Sequence, residues 1–369
     1  MKRILLVSCE GLGKGGVQSV MMAIVRNLHL DYVFDMLLFT DEKRYYDEEF
    51  LSYGGRIFRV PHYNKNFFLR KKIDYYVRGK KIYKSVLKIL KINGPYDIVH
   101  CNNEYESALV LKAAKKQNVP IRISHTHVIA QKGGFLFEIM RKFRKKAIER
   151  YATVKIGPSK ESIDSFFKYA GNALVVGNAY DDIKFNKNKY RKVADGEKIR
   201  LIQIGSFSEN KNQIFSVEVV DCIRELYPSV QIVFIGFDVD GYESMLKKEI
   251  EVKNLQNFVS FEQFDSNLPV LLSKSSALLF PSKKEGFGIV LVEAQAMGVR
   301  CYASDTVPIS ANCGGVDYLP LTAGAEVWAK KIIADYKNGE LACADYDCSC
   351  FTTARIVDVY RKIYEGQTI

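Results

Sequence analysis

The most informative stretch of this chain is Pro281-Ser-Lys-Lys-Glu285-Gly-Phe-Gly-Ile-Val-Leu-Val-Glu293-Ala-Gln-Ala-Met-Gly298. A short apolar run at 277–280 leads into it and predicts a buried strand. Residues 289–297 have helical periodicity, and Gly298 supplies a helix stop signal. The stretch therefore predicts a buried strand, a glycine-containing turn and a helix in direct succession.

Two carboxylates mark this predicted turn and helix. Glu285 stands at the mouth of the helix, and Glu293 is expected about two turns inside it. Eight residues at about 1.5 Å each would separate them by roughly 12 Å, which is similar to the distance from the sugar to the ribose of a nucleotide diphosphate sugar. The helix N-terminus between them offers free N–H groups that favour phosphate.

The rest of the chain alternates short apolar runs with amphipathic segments, which predicts parallel sheets wound with helices. Two sets of runs indicate two Rossmann-like domains at 1–180 and 181–351, with the polar stretch 181–198 as linker. Ligands are expected at the carboxyl ends of the strands, in a deep cleft between the domains. The predicted strands are 3–8, 33–39, 56–60, 97–101, 121–124, 154–157, 173–176, 199–204, 231–235, 258–261, 277–280 and 300–303.

The signature stretch resembles the donor site of family 4 retaining glycosyltransferases, through Glu-x7-Glu, Glu-Gly-Phe-Gly and Glu-Ala-x-Ala-x-Gly. The resemblance implies an α/β GT-B fold, in which the C-terminal helix, at 352–369 here, packs back on the first domain. Asn-Lys-Asn-Gln at 210–213 and Gly-Gly-Arg-Ile-Phe-Arg-Val-Pro at 54–61 are similar to segments of bacterial capsular and exopolysaccharide enzymes.

The resemblance also assigns roles to individual residues. Glu293 would hold the ribose, Glu285 would contact the sugar, and Lys211 would stabilise the leaving diphosphate together with backbone amides. Of the residues that follow, the first three are expected to be catalytic and the others to bind substrate: Glu285, His127, Lys211, Gly15, Gly16, Ser206, Gly286, Phe287, Gly288, Ile289, Val290 and Glu293.

Two motifs of the first domain also lie at predicted strand ends. Gly13-Lys-Gly-Gly-Val-Gln18 follows the first strand and lets backbone amides approach a phosphate or a sugar. Ser124-His125-Thr126-His127-Val128 ends another strand, and His127 best matches a family histidine that approaches the donor. His125 is a weaker candidate, and for His100 a packing role is an equal alternative.

The chain departs from the family pattern in the segment expected to bind the diphosphate. In the segment 204–213, Lys211 matches the family lysine, but Ser206 replaces the arginine of the diphosphate clamp. A serine donates a hydrogen bond but cannot neutralise charge. This departure favours an alternative function, a non-catalytic nucleotide-sugar-binding partner of another glycosyltransferase. A sugar-nucleotide epimerase is a further alternative, against which the Glu-x7-Glu helix argues.

The formal charge of +12 is concentrated in the first half, since residues 1–180 carry 32 Lys and Arg against 16 Asp and Glu. Basic and aromatic residues mix at 65–91, and 141–146 is a second basic run, which suits anionic lipid. We therefore expect a cytoplasmic protein, peripheral on the inner face of the cell membrane, with a lipid-linked saccharide acceptor. Nucleic acid is a weaker candidate partner because no recognition motif accompanies the charge.

No cofactor and no metal are expected besides the nucleotide-sugar co-substrate. The eight cysteines lack paired metal-ligand spacing, and Asp238-Val-Asp240 resembles a metal motif in letters only. The resemblance implies a metal-independent hexosyltransferase, and UDP is the commonest donor nucleotide in the resembling group. Neither the sugar nor the oligomeric state is readable from the sequence.

Overall fold

The computed structural model describes residues 1–9, 11–60, 71–102, 106–130, 135–190, 198–263 and 267–367. The chain divides into two compact units, Met1–Ala179 with Thr353–Ile369, and Tyr180–Thr352. The division lies one residue from the boundary placed at 180/181 from the sequence. Parts of two sequence features, the basic stretch at 65–70 and the linker at 191–197, lie outside the described residues.

The first unit is built on a seven-stranded parallel sheet in the order β3-β2-β1-β4-β5-β6-β7. Its strands are β1 (Lys2–Ser8), β2 (Tyr32–Leu38), β3 (Arg56–Arg59), β4 (Ile98–Cys101), β5 (Ile121–His125), β6 (Val154–Gly157) and β7 (Leu174–Val175). Its helices up to the division are α1 (Gly16–Leu28), α2 (Asp47–Ser52), α3 (Lys71–Asn93), α4 (Ser107–Lys116), α5 (Phe135–Tyr151) and α6 (Lys160–Phe166). The central strands are buried on both faces, as in a sheet covered by helices.

The second unit repeats this plan with six parallel strands in the order β10-β9-β8-β11-β12-β13. Its strands are β8 (Ile199–Ile204), β9 (Val230–Gly236), β10 (Val259–Gln263), β11 (Ala277–Phe280), β12 (Arg300–Ser304) and β13 (Val316–Leu319). Its helices are α7 (Gln213–Leu226), α8 (Tyr242–Val252), α9 (Leu268–Ser273), α10 (Ile289–Ala296) and α11 (Ala325–Lys337). Two Rossmann-like α/β units are therefore confirmed.

The last helix, α12 (Thr353–Glu365), belongs to the first unit although it follows the second in sequence. It packs on α1, and Tyr360 and Tyr364 are fully buried in the same core cluster as Ile4. The backbone carbonyl of Tyr364 accepts a hydrogen bond from Lys2 Nζ at 3.0 Å. These contacts attach the helix to the first strand of the chain.

Each of the twelve predicted strands corresponds to an observed one, with ends that differ by at most two residues. The thirteenth strand, β13, was missed. It is an edge strand paired only with β12, and its four residues are all half-buried, so it lacks the apolar run that marks a central strand.

No helix of the described residues is long and apolar enough to cross a membrane.

Candidate functional site

In each sheet, two neighbouring strands at the centre are not consecutive in sequence: β1 adjoins β4, and β8 adjoins β11. The motifs found in the sequence lie near the ends of these strands. In the second unit, β8 and β11 are neighbours, although β9 and β10 separate them in sequence. In open α/β sheets, the crevice at the carboxyl ends of such a pair is where ligands bind. The loop after β8 contains Ser206 and Lys211, and the loop after β11 contains Glu285. The topology therefore brings these motifs to the same sheet edge.

Side-chain and backbone hydrogen bonds hold these two loops together. The backbone N–H of Lys283 donates to the carbonyl of Asn210 at 2.8 Å, and Asn210 Nδ2 donates to the carbonyl of Lys284 at 2.9 Å. Asn212 Nδ2 donates to the carbonyl of Pro281 at 3.3 Å. These bonds fix the position of each loop with respect to the other.

Lys211 and Glu285 form an ion pair across the two loops, with 2.6 Å between Nζ and Oε1. Both side chains are largely withdrawn from solvent, at 21% and 13% exposure. The ammonium also lies 5.0 Å from the centre of the Phe280 ring, a cation–π distance. Thus the cation predicted for a diphosphate and the carboxylate predicted for a sugar are direct partners in this structure.

Glu293 is the second carboxylate of the signature stretch. It is the fifth residue of α10, so it lies about one turn inside the helix. The predicted depth of about two turns was wrong, because α10 begins only at Ile289 and residues 286–288 precede it, so only part of the stretch has the helical rise. The estimate of roughly 12 Å along a helix does not apply for the same reason.

The Glu293 carboxylate is half-buried and has no hydrogen-bond or ion-pair partner among the described residues. Burial raises the pKa of Glu293 to about 7; the nearby Lys184 ammonium lowers this pKa, and the Asp181 carboxylate raises it. The ionised form of a carboxylate with a raised pKa is stabilised by any ligand that donates hydrogen bonds to it. Two vicinal hydroxyl groups would supply two such donors.

The N-terminus of α10 lies between the two carboxylates. Gly288 is the residue before the helix and has a φ of 91°, a left-handed conformation that a side chain would strain. No side chain caps this end, so the amides of Ile289 and Val290 are not bonded by a capping group. Such an uncapped helix end suits an anion.

The helix ends at the predicted glycine. Gly298 has a φ of 73°, and the Val299 and Gly298 N–H groups donate to the carbonyls of Ala294 and Gln295 at 2.9 and 2.8 Å. This pattern is a Schellman motif. Phe287, by contrast, buries its ring against Phe351, with 5.3 Å between centroids, so its side chain contributes packing to this unit.

Ser206 occupies the position at which an arginine was expected. Its carbonyl accepts a hydrogen bond from Gln213 Nε2 at 2.9 Å, and its side chain is half-buried. The serine therefore helps to shape the loop after β8 and supplies no positive charge. Lys211 is the cation that this loop brings to Glu285.

Gln295 was not predicted as a site residue, although it belongs to the signature stretch. Its amide is almost fully buried and donates to the carbonyls of Leu291 and Ala311, both at 2.9 Å. Its oxygen accepts from the backbone N–H groups of Cys313 and Gly315 at 2.7 and 3.0 Å. Gln295 thereby attaches the loop after β12 to α10.

In the first unit, the glycine motif follows β1 at the edge where β1 adjoins β4. Gly15 immediately precedes α1, and Gly16 is its first residue. A Cβ at Gly15 would lie 2.4 Å from the Oε1 atom of the buried Gln18, whereas a Cβ at Gly16 would meet nothing within 4 Å. A side chain at Gly15 would therefore require the buried Gln18 to move, whereas Gly16 leaves the helix start open.

The histidine motif follows β5 at the same edge. The His127 ring lies 3.9 Å from that of His125, and His127 Nε2 lies 3.0 Å from Asn102 Oδ1. His125 is fully buried, and its Nδ1 lies 3.2 Å from Nε2 of His100. Burial lowers the pKa of His127 to about 3. Asn102, which follows β4, was missed from the sequence because an asparagine pair at a strand end carries no distinctive motif.

No group of three or more histidine, cysteine or acidic residues in the described parts of the chain could hold a metal ion.

Comparison with known proteins gives a family match for part of the chain. Residues 184–312 match the family model of the glycosyl transferases group 1. The chain carries a group 1 glycosyltransferase region. It is 29% identical over 350 residues to the putative glycosyltransferase EpsF of Bacillus subtilis, with 90% of this chain and 87% of that protein covered. It is also 25% identical over 281 residues to the Escherichia coli UDP-Gal:alpha-D-GlcNAc-diphosphoundecaprenol alpha-1,3-galactosyltransferase, with 70% and 68% covered.

Solved structures with a similar fold cover nearly the whole chain. The crystal structure of Anabaena Alr3699/HepE in complex with UDP and glucose is similar over 99% of this chain and 100% of that chain. The TM-score is 0.77 at 16% sequence identity. The predicted GT-B class, with two Rossmann-like domains, is therefore confirmed.

Proposed function

We propose that the protein is a retaining, metal-independent family 4 glycosyltransferase that uses a UDP-linked sugar. The observation that carries the proposal is the half-buried Glu293 carboxylate on α10, which has no hydrogen-bond or ion-pair partner among the described residues and follows the loop that holds the Lys211–Glu285 pair. A ribose supplies the two hydroxyl donors that this carboxylate lacks. Relatives and structural neighbours described with UDP-sugars or UDP support the choice of donor.

The diphosphate would lie at the N-terminus of α10. There the amides of Ile289 and Val290 and the cation of Lys211 would stabilise the charge that develops on the leaving group. Because Lys211 is paired with Glu285, donor binding would exchange part of this ion pair for contacts with phosphate and sugar. Glu285 would then face the sugar hydroxyls and the positive charge that develops on the ring. The resemblance also gives His127 a role at the donor.

Retention of configuration would follow a front-face displacement. The acceptor hydroxyl forms the new bond to the anomeric carbon as the bond to the diphosphate oxygen breaks. The departing phosphate takes the proton of that hydroxyl. This route needs no enzyme nucleophile, so the site residues act by positioning and by electrostatic stabilisation.

The acceptor is proposed to be a lipid-linked saccharide of a growing bacterial surface polysaccharide. Two similar proteins are named for diphosphoundecaprenol- and diphosphopolyprenol-linked acceptors, and another for capsular polysaccharide biosynthesis. The strong positive charge of residues 1–180 suits an anionic membrane surface and supports the proposal of a cytoplasmic protein that is peripheral on the inner face of the cell membrane.

In the first unit, helix α5 has an exposed surface that supports the proposed contact with anionic lipid. Phe143 is 72% exposed and Ile139 is 38% exposed, four residues apart on one helix face. Lys142 and Lys146 flank them, are exposed and make no ion pair with the described residues. Exposed apolar side chains between lysines are typical of a surface that meets anionic lipid.

The first experiment is a thermal-shift series with UDP, GDP, ADP and dTDP on the wild-type protein and on Glu293→Ala. We expect UDP to raise the melting temperature of the wild type but not that of Glu293→Ala. Asp182→Asn, a nearby charge change outside the predicted site, is the control and should keep the UDP response. No response to any nucleotide in the wild type would refute the donor-site assignment.

A non-catalytic nucleotide-sugar-binding partner is the second candidate function, and Ser206 favours it. The loop after β8 lacks the family arginine, and its lysine is already neutralised by Glu285. If this loss has abolished catalysis, Ser206→Arg should strengthen UDP binding and create sugar transfer that the wild type lacks. Transfer by the wild-type protein, measured with UDP-sugars and lipid-linked saccharides, would refute this candidate.

A further inference from the structure

Asn102 connects the β1–β4 edge of the first sheet to His127. Its backbone N–H donates to the carbonyl of Val7 on β1 at 2.9 Å, which fixes the residue at the end of β4. Its side chain is buried, with only 5% exposed. Asn102 Nδ2 donates to the carbonyl of His100 at 3.4 Å, and Oδ1 lies 3.0 Å from His127 Nε2.

This arrangement determines which nitrogen of His127 carries the proton. An amide oxygen can only accept, so His127 Nε2 must donate to Asn102 Oδ1. The opposite orientation of the Asn102 amide would place its oxygen against the carbonyl oxygen of His100, which is repulsive. His127 Nδ1 is then a lone-pair acceptor; it is buried and has no hydrogen-bond partner within the described part of the chain.

The groups around His127 keep the imidazole uncharged. The His125 ring lies beside it at an interplanar angle of 38°. His125 in turn contacts His100, whose Nδ1 lies 2.9 Å from the hydroxyl of Tyr364 on α12. Tyr360, also on α12, has its ring 6.1 Å from that of His125. Burial lowers the pKa of both His100 and His127 to about 3, and none of these neighbours is anionic at neutral pH.

We infer that Asn102 is a positioning residue that holds His127 as its neutral, Nε2-protonated tautomer. The importance of this tautomer for sugar transfer rests on the proposed function. An uncharged His127 can exchange hydrogen bonds with a donor substrate, but it cannot neutralise a diphosphate. Neutralisation is then left to Lys211 and to the amides of α10, which makes the absence of an arginine at Ser206 more consequential.

The inference is tested on the full-length protein with 15N-labelled histidine. The chain has five histidines, so the ring nitrogens can be assigned with single His→Gln variants. Ring 15N shifts are followed from pH 5 to pH 8 in the wild type, Asn102→Ala and Asn102→Asp. A wild-type His127 that stays in one Nε2-protonated form across this range supports the inference.

The two variants separate tautomer control from simple packing. Asn102→Ala should give a mixture of His127 tautomers. Asn102→Asp should keep the Nε2–H but raise the pKa of His127 enough to make its titration visible between pH 5 and pH 8, because a carboxylate stabilises the imidazolium. Wild-type His127 that titrates near pH 6.5, or an unchanged single tautomer in Asn102→Ala, would overturn the inference.

A UDP thermal shift on the same samples distinguishes this inference from the proposed function. Glu293 and Lys211 are intact in both Asn102 variants, so both should keep the UDP response. If UDP has no effect on the wild type while the tautomer results are as expected, the proposed donor site fails and the role of Asn102 stands. Circular dichroism of each variant checks that the fold is retained. Asn102→Gln tests whether a longer side chain with the same amide group restores the single tautomer of His127.

Discussion

Replacing Glu293 by glutamine is expected to stabilise the protein at pH 8 and to leave its stability unchanged near pH 4.5. Glutamine has nearly the shape of the carboxyl group but cannot ionise. Burial raises the pKa of Glu293 from 4.5 to about 7 in the folded protein. At about 1.4 kcal/mol per pH unit, ionising this group in the folded state costs about 3 kcal/mol.

The direction of the pH dependence follows from the sign of this pKa change. Because the folded-state pKa lies above the unfolded value, the protonated carboxyl favours folding below pH 4.5, and this contribution is lost as the pH rises from 4.5 to about 7. Above pH 7, the wild type carries the full cost and Glu293→Gln does not. For a domain of 150–250 residues, 3 kcal/mol corresponds to about 6–12 °C in melting temperature.

The assay is thermal unfolding of the wild type and Glu293→Gln between pH 4.5 and pH 8.5, without ligand. Two variants of neighbouring charges test the cause. Lys184→Met should move the midpoint of the pH dependence upward, and Asp181→Asn should move it downward, since the lysine lowers the pKa of Glu293 and the aspartate raises it. A difference between wild type and Glu293→Gln that is the same at every pH would refute the reasoning.

Glu293→Gln should stabilise the fold at high pH but weaken the binding of UDP. Ribose hydroxyls donate to the ionised carboxylate, so UDP binding to the wild type should weaken by up to tenfold per pH unit below pH 7. Glu293→Gln should bind UDP weakly at all these pH values. Isothermal titration at pH 6 and pH 8 measures both effects. A wild-type affinity that rises on acidification would contradict the assignment of Glu293 to the ribose.

Three further predictions concern other parts of the molecule. Lys211→Met should destabilise the protein by about 1–3 kcal/mol in urea unfolding because Glu285 keeps a largely buried charge without its partner, and the double variant with Glu285→Gln should recover most of this loss. Gly15→Ala should cost about 1 kcal/mol by crowding a buried glutamine, while Gly16→Ala should be neutral in the same assay; equal effects would contradict the packing argument. Phe143→Ser should leave the melting temperature unchanged but weaken salt-sensitive flotation with phosphatidylglycerol vesicles. Wild-type protein that does not bind these vesicles at low salt would refute the proposed contact of α5 with anionic lipid.

Much of the fold was predictable because parallel strands buried on both faces are continuous apolar runs. The segments Ile199–Ile204 and Ala277–Phe280 were predicted with their observed bounds for this reason. The edge strand Val316–Leu319 was not, since half-buried residues produce no such run. Similarly, Gly298 predicted the end of α10, but the turn before Gly288 has no periodicity from which the depth of Glu293 could be derived.

The candidate site shows a different limit. The sequence predicted that Lys211 and Glu285 would both belong to it, and strand order explains why they share an edge. Their direct pairing depends on side-chain rotamers and on the hydrogen bonds that join the two loops, neither of which has a sequence pattern. Asn102 was missed for the same kind of reason: its importance comes from contacts with Val7, His100 and His127, which are distant in sequence.

The position of α12 has a consequence for how the protein is made. The second unit is one continuous stretch, Tyr180–Thr352, whereas the first unit needs Thr353–Ile369 to fill its core. During translation, the second unit can leave the ribosome complete while the first still lacks Tyr360 and Tyr364. Nascent chains stalled before residue 353 should therefore expose apolar surface of the first unit to chaperones, even though its sheet was synthesised first.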